Sequence, residues 1–196
     1  MNIASPISSV VPSLDGSVLE VLAGSSVPLT LSEVDRRASR GTPSGVRKVL
    51  RRLVNEGLVL NVPGGYLLNR EHVAAGAVEA LVTLRAEFLL RLRDEVASWT
   101  YHVDLVGLFG SFARREGDSK SDIDILIIGE DHCPDEVLDN LAVRVLNWTG
   151  NRAQVMALTH TDLRRLQSLG ELIFAEWHRD LEVVQGDATV LDVETA

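Results

Sequence analysis

The sequence holds one cysteine, Cys133, in 196 residues. That excludes an internal disulfide, and no partner stands at metal-ligand spacing around it: His132 is adjacent, which is not a zinc spacing. Nowhere do about 18 apolar residues run together, so no membrane span and no membrane partner are expected. The opening residues 1–14 lack a basic start followed by an apolar block, so no secretory signal is expected and the chain is read as soluble and cytoplasmic. What is present is ample apolar material. Hydrophobic residues make up 45% of the chain and the mean hydropathy is +0.10, enough for a packed core and against wholesale disorder. The length suits one large domain or two small ones.

The formal net charge of -9 hides an asymmetry. Residues 1–70 hold eight Lys/Arg against five acids, a net +3, which leaves -12 for the remainder. A basic front and an acidic back point to two different jobs. The overall acidity argues against the whole protein coating nucleic acid non-specifically.

The front reads as three helices and a hairpin. Leu14, Val18, Val21 and Leu22 recur at helical spacing, and Gly24-Ser25-Ser26 breaks that helix. Thr30-Leu31-Ser32-Glu33 offers a cap for a short second helix. After the turn 41–44, Ser44 is expected to open a third. It sets Val46, Val49, Leu50, Leu53 and Val54 on one face and Arg47, Lys48, Arg51 and Arg52 on the other. Leu58-Val59-Leu60 and Tyr66-Leu67-Leu68 flank Pro63-Gly64-Gly65, a hairpin pattern. The run from Val46 to Val59 resembles the recognition helix and first wing strand of the winged helix-turn-helix family. The resemblance covers residues 12–70. It implies an α+β domain that binds duplex DNA, with Arg47, Lys48, Arg51 and Arg52 as DNA-binding residues and the wing along phosphates. The alternative is a solvated basic face on a protein-contact module. Residues 71–99, striped by Val73, Val78, Leu81, Leu84, Phe88, Leu89, Leu92 and Val96, read as one connecting helix. It is either a homodimer surface or a cover for the sheet that follows.

The chemistry lies further on. The buried-strand pattern of residues 103–109 runs into Gly110-Ser111. A polar turn through Ser121 follows, then Asp122-Ile123-Asp124 opens a second apolar strand. Gly110 has no side chain, so backbone can approach a phosphate closely. Ser111 offers a hydroxyl and helix-start N–H groups where strand turns to helix. Residues two apart on a strand share a face, so Asp122 and Asp124 project together while Ile123, Ile125 and Ile127 point into the core. Paired carboxylates at the edge of an apolar strand are costly unless they hold a cation, and Mg²⁺ shared with substrate phosphates answers that need.

Gly110-Ser111, ten intervening residues and Asp122-Ile123-Asp124 are similar to the motif of the minimal nucleotidyltransferases of the DNA polymerase β superfamily. Phe112-Ala113-Arg114, Ser121, and the tail from Ile173 through Gly186 carry the same likeness. It spans residues 100–187, with 188–196 left as a tail. It implies an α/β fold with a mixed sheet. It implies a catalytic, metal-binding Asp122 and Asp124, and an NTP-binding Gly110, Ser111 and Ser121. Mg²⁺ or Mn²⁺ is the implied metal, and an NTP, ATP first, the implied substrate or ligand. The implied reaction moves an NMP onto a protein or nucleic-acid hydroxyl. Members of this family include partners of helix-rich toxin proteins, which they modify, and drug-modifying enzymes, so a toxin–antitoxin pair is one expected setting. One departure stands out. The family's third carboxylate, on a neighbouring strand expected at 152–158, aligns with Gln154, whose amide brings no charge. The competing expectation is therefore a DNA-binding regulator whose degenerate transferase domain senses nucleotide or binds a partner.

Overall fold

A computed structural model describes residues 1–38 and 41–192; of the expected tail, 193–196 lie outside the described residues. The chain divides into two compact units, residues 4–85 with Asn2, and residues from Ala86 onward with Met1 and Ile3.

In the first unit, α1 (Leu14–Ala23), α2 (Leu31–Arg37) and α3 (Pro43–Asn55) precede a hairpin of β1 (Val59–Val62) and β2 (Gly65–Leu68), then α4 (Ala75–Val82). Thr30 and Glu33 close a reciprocal capping box on α2. Helix α3 begins one residue before the expected Ser44, because Thr42 caps it and Pro43 suits its first turn. The 3.6-residue period then decides burial. Val46, Leu50 and Leu53 sink into a core with Val18, Leu22, Val34 and Leu68, while Arg47, Lys48, Arg51 and Arg52 stay exposed. Leu29 joins the hairpin by one isolated antiparallel bridge, trading backbone hydrogen bonds with Tyr66 at 2.9 and 2.8 Å. A Cβ on Gly65 would sit 2.1 Å from the Leu29 carbonyl oxygen, so this approach requires glycine.

The single helix expected over 71–99 is two. Thr83 separates α4 from α5 (Leu84–Ala97). The Thr83 hydroxyl donates to the carbonyls of Glu79 and Ala80, a back-bonding that competes with continuation. The apolar stripe divides accordingly: Val78 joins the first core, and Phe88, Leu92 and Val96 join the second.

The second unit continues with β3 (Leu105–Phe109), α6 (Gly110–Ala113), β4 (Ile123–Gly129), α7 (Asp135–Thr149), β5 (Ala153–Thr159), α8 (His160–Ser168), α9 (Ile173–Asp180) and β6 (Glu182–Gly186). The four strands form one mixed sheet in the order β5-β4-β3-β6, with β4 and β5 parallel and the other pairs antiparallel. Both faces are covered. On one, α5 and α7 pack Phe88, Leu92, Val96, Leu141 and Val145 over Val106, Leu108, Ile123, Ile125 and Ile127. On the other, α8 and α9 pack Leu163, Phe174 and Trp177 over Leu105, Phe109, Leu126 and Ile128. The expected tail is partly structured: residues 188–191 form a 3-10 turn that buries Leu191 in this second cluster. Asp122 and Asp124 therefore project toward the α8/α9 side, at the end of β4 where β3 runs into α6.

Candidate active site

Antiparallel pairing sets Phe109 opposite Asp124, which brings the start of α6 against the Asp124 carboxylate. Gly110 has φ +66°, and a Cβ there would lie 2.3 Å from Asp124 Oδ2. The space left by the missing side chain is thus filled by the carboxylate, a constraint the motif alone did not reveal. Asp124 is half-buried and Asp122 exposed. Burial, then the neighbouring Asp122 and Glu176 carboxylates, push the Asp124 carboxyl above its usual range, and Arg114 pulls the other way. Ser111 is half-buried, and its hydroxyl has no hydrogen-bond partner among the described residues.

The loop joining the two halves of the motif is tightly held. Asp118 accepts from the backbone N–H of Lys120 at 2.8 Å, and from both the N–H and the hydroxyl of Ser121 at 3.0 and 3.1 Å. Those bonds hold the Asp118 carboxyl below its usual range. The Ser121 hydroxyl also accepts from the Asp118 N–H, so it is committed to this turn. From below, buried Asn151 donates its amide to the carbonyls of Asp118 and Ser121 at 3.1 and 2.9 Å. Ile3 donates its backbone N–H to the Gly117 carbonyl at 3.1 Å and buries its side chain in the core beneath. Arg114, just after α6, bonds Glu116 and Asp180, each at 2.9 Å. Asp180 is clasped by Arg179 as well, and the two guanidiniums hold its carboxyl at about 2.

Gln154 stands directly beside Asp124 in the parallel β4–β5 register, exposed and on the same face. The third carboxylate near the pair comes instead from Glu176 on α9. Sequence reasoning passed over Glu176 and Asn151. Phe174 and Trp177 are buried on α9, which turns Glu176 outward beside them, but only the tertiary fold brings that face to Asp124. Cys133 is buried at 8% exposure, while the adjacent His132 is exposed. Thr159 caps α8, in a box with Asp162. Of the four basic residues on α3, Arg52 is drawn to Asp15, leaving Arg47, Lys48 and Arg51 without an ion pair among the described residues.

Residues 89–176, which span the Gly-Ser turn, both strands and the carboxylate pair, match the family model of the nucleotidyltransferase domain. The chain carries a nucleotidyltransferase domain. No curated protein matches the chain. Among solved structures, one chain of a toxin–antitoxin complex with AMP-PNP is 18% identical, with 54% of this chain and 77% of that one covered and a TM-score of 0.39. A chain of a mutant MntA–HpeT toxin–antitoxin complex is 16% identical over 53% and 76%, at 0.39. A chain from the tri-AMPylated Shewanella oneidensis HEPN toxin with MNT antitoxin is 18% identical over 54% and 72%, at 0.34. At these TM-scores the likenesses carry no functional weight.

The residues suit a hard cation only in part. Among the described residues no group of three or more His, Cys, Asp or Glu is arranged to hold a metal ion. Two carboxylates with a neutral amide beside them fit Mg²⁺ or Mn²⁺ that completes its shell with phosphates and water, and do not fit an all-protein cage.

Proposed function

We propose that the nucleotidyltransferase domain moves an NMP from an NTP, ATP first, to a hydroxyl of a protein or nucleic acid, with Mg²⁺ or Mn²⁺ held by Asp122 and Asp124. One observation carries this reading: the strand register sets the Asp124 carboxylate against Gly110, with Asp122 on the same face. Gly110 admits the Asp124 carboxylate against its backbone, and the Ser111 hydroxyl donates to a phosphate oxygen. Asp122 and Asp124 would hold the cation, which when bound would neutralise charge on the leaving pyrophosphate. Ser121 acts by holding the loop through Asp118.

The first unit supplies a DNA-binding head of the winged helix-turn-helix kind. The order of three helices and a hairpin, the bridge of Leu29 to Tyr66 and the exposed basic face of α3 support that part. A DNA-binding head on a protein-modifying transferase suits an autoregulated toxin–antitoxin pair in the cytoplasm, with the toxin as acceptor. The boundaries that go with this reading are 12–70, 71–99 and 100–187, with the connecting helical segment as the surface for a homodimer.

The second reading is a DNA-binding regulator with a degenerate, nucleotide-sensing domain. It is favoured by Gln154, a neutral side chain in register with Asp124. Triphosphate labelled at the α-phosphate, with Mg²⁺ or Mn²⁺ and the product of a neighbouring gene or RNA as acceptor, separates the two. Transfer of label, strengthened by Gln154→Asp, supports the enzyme. Nucleotide binding with no label on any acceptor leaves the sensor. For the head, Arg47→Ala or Arg51→Ala is expected to weaken duplex binding and lower its salt slope by about 0.9 for each phosphate no longer neutralised. Arg52→Ala, whose guanidinium already faces Asp15, changes it least. Equal, salt-insensitive binding by all three variants points to a protein-contact role.

A further inference from the structure

The two edges of the four-stranded sheet, β6 and β5, are finished differently. On β6 the ladder to β3 is broken by a register shift at Val106–Gly107, Glu182 opens the strand, and the Arg93 guanidinium donates to the Val184 carbonyl at 3.1 Å. Irregularity and charge are ordinary means of keeping an edge from pairing with another chain. β5 has neither. Its residues, Ala153–Thr159, include no charge, no proline and no glycine, and its pairing to β4 runs without a shift. Which of its backbone groups lie open follows from one bond. Ile123 donates its N–H to the Arg152 carbonyl at 2.8 Å, so the even-numbered residues of β5 turn their backbone groups to β4. The N–H and C=O groups of Ala153, Val155 and Ala157 therefore point outward, where no donor or acceptor among the described residues meets them. Thr159, next in that series, gives its N–H to Asp162 at 3.0 Å.

A hollow flanks this open edge on either face of the sheet. On the α7 side it is lined by Asp135, Leu138, Asp139 and Ala142 together with Ala153 and Val155. Asp135 and Asp139 are exposed, and Arg144, the one cation of α7, is drawn to Glu95 at 3.0 Å. On the α8 side the hollow is mainly apolar, with Ala157, Leu158, Leu166 and Leu169, the last 63% exposed. A strand laid along β5 sends alternate side chains into the two hollows. One set meets carboxylates and the other meets leucines. A second copy of β5 does not suit this edge. Antiparallel pairing about a twofold axis keeps α7 on the same face in both copies and sets the two acidic hollows side by side, in a stretch beyond residue 70 that already carries net -12.

We infer that the β5 edge docks an extended segment of a partner protein, added as a fifth strand, in which basic residues alternate with apolar ones. The main chain of the segment bonds Ala153, Val155 and Ala157, its basic side chains enter the Asp135–Asp139 hollow, and its apolar ones lie on Leu158, Leu166 and Leu169. Gln154 of the same strand stands beside Asp124, so the docked segment passes about two strand spacings, roughly 10 Å, from that carboxylate's strand. The docking itself does not depend on nucleotidyl transfer.

The test uses the full chain and a fluorescein-labelled peptide of about ten residues that alternates lysine and valine, read by anisotropy and by hydrogen exchange. Binding is expected to slow exchange at the amides of Val155 and Ala157 and to leave β6 unchanged. Methylating the backbone nitrogens of all the lysines blocks one edge of the peptide, and methylating those of all the valines blocks the other. One of the two is expected to abolish binding and the other to leave it within about threefold, a contrast that needs no protein variant. A peptide alternating glutamate and valine is expected to bind roughly tenfold or more weakly, and Asp135→Lys combined with Asp139→Lys, both at exposed positions, should reverse that preference. Equal effects of the two methylations mean ionic association without strand addition and overturn the assignment, as does a lysine–valine peptide that gives no protection at Val155 and Ala157. Protection of those amides in the peptide-free protein, lost on dilution as a dimer dissociates, makes a second copy the occupant and overturns it as well.

Discussion

Asp124→Asn is expected to reduce nucleotidyl transfer roughly 1,000-fold while making the metal-free protein more resistant to heat. The two effects have one cause. The Asp124 carboxylate is half-buried and faces Asp122 and Glu176, so without a cation its charge is held against burial and repulsion. Asparagine keeps the shape and removes the charge. The sign of the pH dependence follows. A carboxyl whose folded pKa is raised binds its proton more tightly in the folded state. Its contribution to stability is fully present below the unfolded Asp range and is lost as pH rises through the raised value. The advantage of Asp124→Asn should therefore be larger at about pH 7 than at about pH 5 in chelator, measured as the difference in thermal midpoints. Mg²⁺ with nucleotide should raise the wild-type midpoint and leave that of the variant unchanged. A gap independent of pH would mean that the charge is compensated by groups other than a cation.

What the sequence discloses about this site divides by how local the cause is. Gly110-Ser111 and Asp122-Ile123-Asp124 are legible because each acts through its own backbone: a turn between strand and helix, and a two-residue period on a strand. Gln154 is legible because parallel β4 and β5 join through one helix and the register follows. Glu176, Asn151 and Ile3 are not legible. Glu176 faces Asp124 only because α9 packs over β3 and β4 through Phe174 and Trp177. Asn151 and Ile3 reach the motif loop from distant parts of the chain. The break at Thr83 escaped for a related reason. The apolar stripe runs on without interruption in the sequence, and its division between two cores is a tertiary fact.

Gly110→Ala is the second large effect, and it tests whether the glycine serves the carboxylate. The positive φ alone costs about 1–2 kcal/mol for alanine, roughly 2–8 °C in thermal midpoint at this chain length. The added methyl would stand 2.3 Å from Asp124 Oδ2, a distance no real contact sustains. The obstructing atom is the far end of a side chain, so the fold survives by turning Asp124 away, and the loss falls on function. Transfer is expected to drop by roughly 100-fold or more, with metal-dependent nucleotide binding weakened in parallel. Gly107→Ala is the control. Its methyl would press Leu181 at 2.8 Å, on the sheet but away from both carboxylates, so it should cost stability and leave the metal requirement of binding unchanged. The double variant carrying Gly110→Ala and Asp124→Asn should be no worse in transfer than Asp124→Asn alone, since both act through the same carboxylate. Losses that multiply instead would show that Gly110 itself touches the nucleotide, as close backbone approach to a phosphate would produce.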